Sequence, residues 1–458
     1  MGWLTGWKYR KSHEIIGSTA GAVTDYQIRV RVHYGEGTDS GEDVYLGSGS
    51  YNVESGSWTV DGNSYKYRLK VKVTDKSGQD LTDYQVKVTI NTAWLVSKGY
   101  ATSSGNEVRF TDDQGSLLSF WRENDFNQEE TIYWVKVPSI PANSTVDIYM
   151  YFDPDLTGVP DASDPISTMW AYDDWTEETF PSDRWQLNDP DYPLWGDASS
   201  AVFEPDYDRI RLTPTGDNKG GNVRPLISLN GQGFYAKARI VDTGNSDGHY
   251  WYFYATDNSN CVRVNFNPYA DAIRLHKIEN GTGTELAKVS WAVNSFDITA
   301  EIYVTPNSVK VYVNGELKID YSGDLPIAGD ELVFAAGHGA ADTNKYLYAV
   351  LVRKYVDPDP EAKPETIEKC RSDFGDIRFT ADDGVTELSY WMEEKVDGDY
   401  AVFWVKVPSI PTSPDTTTIY IYYGKSDATT TSNGDATFEF YEDFTSDPNT
   451  NGKWEVYR

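Results

Sequence analysis

The residue patterns most suggestive of chemistry lie in three neighbouring segments that alternate with period two. In HYWYFYATD (249–257), alternation puts Tyr250, Tyr252 and Tyr254 on one face of an extended strand and Trp251 and Phe253 on the other. In CVRVNF (261–266), Arg263 and Asn265 oppose Val262, Val264 and Phe266. In AIRLHKIE (272–279), Arg274 and His276 oppose Ile273 and Leu275. Burying an apolar side chain is worth about 1.5–3 kcal/mol, which turns the apolar sets inward. Tyr250, Tyr252, Tyr254, Arg263, Asn265, Arg274 and His276 then form one outward patch. Aromatic faces beside planar polar groups suit a sugar. The alternatives are a solvated sheet or a face against a neighbouring domain.

A second pattern is acidic. DPDLTGVPDASD (153–164) carries Asp153, Asp155, Asp161 and Asp164 in a turn-rich stretch that could offer oxygen ligands to calcium. Its spacing is not that of an EF-hand, and the alternative is a solvated acidic linker. Asn143-Ser-Thr and Asn280-Gly-Thr are glycosylation tripeptides at expected turns.

Other chemistries find little support. Asp206 and Asp208, like Asp153 and Asp155, alternate in Pro-containing turns, and 71 acidic residues make close pairs expected by chance. The histidines are His13, His33, His249, His276 and His338, and no Gly-x-Ser-x-Gly nucleophile elbow accompanies them. No phosphate-binding loop occurs, and GHGAAD (337–342) reads as a hairpin turn. Cys261 reads as a small core residue in an alternating strand. Two cysteines exclude a disulfide-dense scaffold, and a bond between Cys261 and Cys370 stays open.

The elements that must position these residues are strands. The 458-residue chain carries 14% aromatic residues, including 33 Tyr and 15 Trp, a composition that favours pleated, half-buried surfaces. A formal charge of −31 repels phosphate backbones and argues against nucleic acid as a partner. No apolar run reaches the length of a membrane span, and the first residues show no apolar core of a signal peptide. About ten short strand candidates between 165 and 357 predict a double-sheet sandwich. The one expected helix is short, around TAWLVSKG (92–99).

An internal repeat organises the remainder. WKYRKSHEIIGSTAGAVTDYQIRVRV (7–32) matches YKYRLKVKVTDKSGQDLTDYQVKVTI (65–90). EVRFTDDQGSLLSFWRE (107–123) matches DIRFTADDGVTELSYWMEE (376–394), and VKVPSIP occurs at 135–141 and at 405–411. Thr82 precedes Val135 by 53 residues and Thr24 precedes Val405 by 381; excising 47–368 leaves 59. This predicts one β-module inserted into a loop of its homologue. Residues 1–46 and 369–436 form the split outer module, 58–160 the inserted one, and 165–357 the sandwich between. GSGS (47–50) reads as a flexible junction and VDPDPEAKPE (356–365) as a stiff one. The rival is exchange in trans, with the front half of one subunit completing the next.

The repeated module, on WKYRK, TDYQIRV, KCRSDFGDIRFTADDG, FWVKVPSIP and TTTIYIYYG, resembles a domain of unknown function recurrent in archaeal and bacterial surface proteins. FDITAEIYVTPNSVKVYVNGELKIDYSG and YLYAVLVRKYVDPDPE resemble the closing strands of a concanavalin A-like, laminin-G-like jelly roll. The resemblance implies an all-β, multidomain chain of β-sandwich modules plus a jelly roll. It also implies an extracellular, cell-surface location and a non-catalytic role. Hydrolases of the jelly-roll kind usually carry Glu-x-Asp-x-x-Glu or a close variant, which is absent here. The expected function is carbohydrate binding or adhesion, or a structural role, with glycans or other surface proteins as partners. The alternatives are a self-assembling filament or surface-layer subunit and a glycan-cleaving enzyme. No cofactor is expected beyond calcium. Residues 437–458 parallel 170–189, which open the jelly roll, so they read as the start of a following segment or second jelly roll.

Overall fold

The two ends of the chain meet in one β-sandwich. In the computed structural model, which describes residues 2–191, 201–212, 221–244, 247–337, 344–445 and 453–454, strand Tyr9–Ile16 pairs antiparallel with Thr416–Tyr423, Tyr9 opposite Tyr423. Val23–His33 pairs with Tyr400–Ile410, Val30 opposite Phe403. These pairs belong to two small sheets, and Val30, Val32, Phe379, Phe403 and Ile421 fill the space between them. Residues 1–53 and 365–458 form one compact unit, and 54–364 form a second. The split module is closed here by strands from both ends of the same chain.

The junction differs from the flexible linker expected at 47–50. Ser50–Tyr51 pairs with Thr366–Ile367, and Gly49 N–H donates to the Ile367 carbonyl at 2.8 Å. Ser48 is buried and its Oγ accepts the Cys370 N–H at 2.6 Å. Gly47 and Gly49 take φ of 70° and 80°, which glycine adopts without a Cβ penalty. The glycines here shape a tight neck between adjacent strands.

The second unit begins with the inner module, built on the same register. Leu81–Ile90 pairs with Thr131–Ile140, setting Thr82 opposite Ser139 as the outer copy sets Thr24 opposite Ser409. Asn63–Thr74 pairs with Thr145–Phe152, Leu69 opposite Met150. The expected helix is Thr92–Ser97, capped by Asn91, whose Oδ1 accepts the Trp94 N–H at 2.8 Å. Two further helices, Pro165–Thr168 and Gly434–Thr437, occupy corresponding places in the two copies. At four residues each they are too short to show a helical period.

The jelly roll follows within the same unit. One sheet runs Trp185–Leu187, Asn222–Pro225, Glu331–Ala336, His249–Asp257, Asn260–Asn267, Ala272–Glu279 and Thr282–Ser290. The facing sheet centres on Lys345–Lys354, Phe234–Asp242, Phe296–Thr305 and Ser308–Val313. Inward residues of both, among them Trp185, Trp251, Phe253, Phe334 and Val350, make one core with Trp175 from the segment after Ala171–Asp173. Phe296–Thr305 shows the cause plainly: buried and more accessible positions alternate along its length.

Candidate functional site

The patch expected from alternation lies on the seven-stranded sheet, on the side away from the sandwich core. Register builds it in two rows. Tyr252 stands between Val333 and Arg263, Arg263 faces His276, and His276 faces Glu285. In the next row Tyr250 stands between Ala335 and Asn265, Asn265 faces Arg274, and Arg274 faces Lys288. Side chains opposite one another on neighbouring strands are near enough to interact.

Three of the seven expected residues prove to be structural. Pairing slips after Phe253 on both sides of its strand, and Tyr254 takes a φ of 48°. This bulge turns Tyr254 into the core beside Phe253, where its hydroxyl donates to the Gln232 carbonyl at 2.9 Å. Tyr252 keeps the expected face but is fully buried among Ala255, Cys261, Ile278, Val333 and Ala335. The outer side of the central strands thus carries an apolar cluster of its own. Asn265 is buried as well, its Nδ2 donating to the carbonyls of Asp247 at 2.9 Å and His249 at 3.3 Å. It braces the preceding turn.

Tyr250, Arg263, Arg274 and His276 remain half-buried. The Arg263 guanidinium lies 5.0 Å from the centre of the Tyr250 ring, and Tyr250 stacks on Tyr252 at 6.0 Å. Glu285 Oε2 is 3.8 Å from Arg274 Nε and 3.9 Å from His276 Nε2. Arg263 Nε, Arg274 Nε and His276 Nδ1 are buried atoms with no hydrogen-bond partner, an arrangement folded proteins seldom tolerate. Burial, then the Arg263 charge, lowers the His276 pKa against the pull of Glu285. Burial pushes the Tyr250 hydroxyl up to about 12. The face therefore offers two guanidinium groups, the Lys288 ammonium at its edge, a neutral imidazole and phenol, and one carboxylate. Glu285 was not among the expected residues. A slip between Leu275 and His276 sets its partner, and alternation carries no sign of it.

The four aspartates do not gather, which corrects the expected calcium site. Buried Asp153 accepts the N–H groups of Lys66 at 3.1 Å and Asp155 at 3.0 Å, and Asp155 pairs with the Lys66 ammonium. Asp161 accepts the Ser163 N–H at 2.9 Å and pairs with Arg122 at 2.7 Å. Asp164 caps Pro165–Thr168, accepting the Ile166 N–H at 2.9 Å. Each carboxylate is thus held by protein donors. Among the described residues, one set of three acidic side chains has an oxygen from each within 4.8 Å of the others: Asp173, Asp174 and Glu177. Arg184 supplies its positive charge, 3.0 Å from Asp173 and 2.5 Å from Glu177. Burial pushes Asp173 up to about 6.

Asn143 and Asn280 are exposed in turns, at φ of 52° and 49°. Cys261 and Cys370 are buried free thiols. His338 and most of the GHGAAD segment lie outside the described residues, as does most of 446–458.

Residues 104–188 and 373–457 match the model of a domain of unknown function (DUF2341), each stretch beginning in the back half of a module copy and running past its end. Comparison with curated proteins gives no match. Among solved structures, the chain is similar to the carbohydrate-binding module CBM66 from Bacillus subtilis, at 17% identity and a TM-score of 0.28, over 37% of this chain and 94% of that one. It is similar to the exoplasmic/lumenal domain of VIP36 in its Ca2+/Man3GlcNAc-bound form, at 15% identity and 0.31, over 40% and 91%. A Bacillus licheniformis beta-glucanase is similar at 17% identity and 0.31, over 40% and 97%.

Proposed function

We propose that the sheet face bearing Tyr250, Arg263, Arg274, His276 and Glu285 binds glycan, and that the protein serves at a cell surface as a non-catalytic adhesive or structural component. The carrying observation is the row of half-buried Arg263, Arg274 and His276 side chains beside the Tyr250 ring on one outward sheet face. The accessible parts of these side chains offer donors to a ligand rich in oxygen acceptors, and the Tyr250 ring beside them gives a sugar face something to stack on. Two arginines against one carboxylate favour an acidic sugar, a choice that stands out in a chain of net charge −31. The non-catalytic reading is supported by the same rows. Glycoside hydrolysis takes two carboxylates, and the rows present Glu285, held near Arg274 and His276.

A glycan array followed by calorimetry tests this. Hydrogen bonds to charged groups contribute about 1.5–3 kcal/mol, so Arg274→Ala should weaken binding about 10- to 150-fold. Its melting temperature should stay near that of the parent, because Arg274 is half-exposed. Undiminished binding in an Arg263→Ala, Arg274→Ala double variant would remove the site from this face. Turnover of a bound glycan would overturn the non-catalytic part.

A further inference from the structure

The two module copies present the same face in two different states. In the inner copy, Tyr84 is 1% exposed. Its hydroxyl accepts the Val356 N–H at 3.0 Å and donates to Asp359, just beyond the last strand of the jelly roll. The Gln85 side-chain carbonyl accepts the Lys354 N–H at 3.0 Å, and the Thr82 carbonyl accepts the Lys354 ammonium at 2.7 Å. Arg353, paired with Asp359 at 2.6 Å, lies 4.9 Å from the Trp134 ring centre. Trp134 clusters with Met169, Tyr235 and Leu351. This face seats the jelly roll.

The outer copy reproduces the face in detail. Asp25 and Asp83 both take left-handed φ, 50° and 46°. Gln27 and Gln85 each donate back to that aspartate's carbonyl at 3.0 Å. Trp404 donates to Glu393 at 3.0 Å as Trp134 donates to Glu123 at 2.9 Å. The segment after the short helix is reproduced too. Tyr441 packs on Trp391 at 5.2 Å as Tyr172 packs on Trp121 at 5.5 Å. Phe444 takes a φ of 56°, matching 62° at Trp175.

Burial is what differs. Tyr26, equivalent to Tyr84, is 55% exposed. Phe444 and Trp454 are 64% and 44% exposed, and their equivalents Trp175 and Trp185 lie in the jelly-roll core. A side chain of core type left in water forfeits the burial that its counterpart gains.

We infer that the Tyr26–Trp404 face of the outer module, with Phe440 and Phe444 beside it, is the docking surface for a further β-sandwich domain of the jelly-roll kind. The occupant presents what residues 353–359 present to Tyr84: backbone N–H groups for a tyrosine hydroxyl and a glutamine, a carboxylate for the hydroxyl, and an arginine over the tryptophan. The jelly roll at 165–357 is not that occupant, because its own closing strand is already bonded to the inner module.

The test joins a second copy of residues 190–360 after Arg458 of the full chain and reads side-chain accessibility by hydroxyl-radical footprinting. The expected result is a fall in Tyr26 modification of severalfold or more, towards the rate of Tyr84 in the same molecule, together with protection of Phe444. Phe444 protected with Tyr26 unchanged would show that the sandwich forms without docking and would overturn the inference. So would an added segment that stays unfolded, since the face would then fail to support the domain it is said to seat. The unextended chain supplies a second measurement. Concentration-dependent protection of Tyr26 together with dimers in sedimentation would make a second copy the occupant and overturn the inference as well.

Discussion

Tyr84 and Tyr26 are the same residue at the same module position, so replacing each with alanine weighs one side chain in two environments. A fully buried aromatic removes about 150–250 Å² from water, worth roughly 4–6 kcal/mol at about 25 cal/mol per Å². Tyr84 is 1% exposed, and aromatic-to-alanine changes at such sites cost about 3–5 kcal/mol. Truncation there also leaves the Val356 N–H without its acceptor and takes one donor from Asp359. Tyr26 is 55% exposed, leaves no sealed cavity and should cost within about 1 kcal/mol. Tyr84→Phe keeps the ring and loses the hydroxyl bonds, for about 1–3 kcal/mol. A chain of two compact units has no single unfolding free energy. Hydrogen exchange resolved by segment is therefore the assay, read at 81–90 and 345–354 for Tyr84 and at 23–33 and 400–410 for Tyr26. Tyr84→Ala should speed exchange in its segments by two or more orders of magnitude and Tyr26→Ala by less than tenfold. Equal effects at the two sites would refute the claim that one face is filled and the other open.

Two further outcomes follow from buried titratable groups. Burial holds His249 neutral and lowers its pKa to about 3, the Lys345 charge acting in the same direction and the Val241 carbonyl on its Nε2 against it. The unfolded chain binds this proton near pH 6.5 and the folded chain does not, so the contribution is fully present above that pH. It falls between about 6.5 and 3 at about 1.4 kcal/mol per pH unit; His249→Gln should flatten this slope in hydrogen exchange read at 249–257 across a pH series, corrected for intrinsic rates, and an unchanged slope would refute the assignment. Burial also raises the thiol of Cys261 to about 12 and lifts that of Cys370, with Asp376 beside it. A thiol reagent at pH 8 should label neither in the native protein and both in denaturant; rapid native labelling of Cys261 would refute its placement in the sheet.

Much of the architecture was legible in the chain because two kinds of signal are local. Period two named the strands and, along 260–279, the inward and outward sets. The repeated blocks, with their 53- and 59-residue spacings, pointed to a module interrupted by another, and the pairing of Tyr9–Ile16 with Thr416–Tyr423 has that form. What the sequence could not carry depends on neighbours remote in the chain. Alternation assigns a face but does not say what lies over it, so Tyr252 and Asn265 read as surface residues and are buried. A bulge is one backbone torsion, 48° at Tyr254, and it reverses the face of that residue without any mark in HYWYFYATD. The acidic stretch shows the same limit, since Asp153, Asp155 and Asp161 find Lys66 and Arg122 from other strands before they find one another. Local residue order sets which way a strand prefers to face; only the packed sheets decide which faces are covered, and by what.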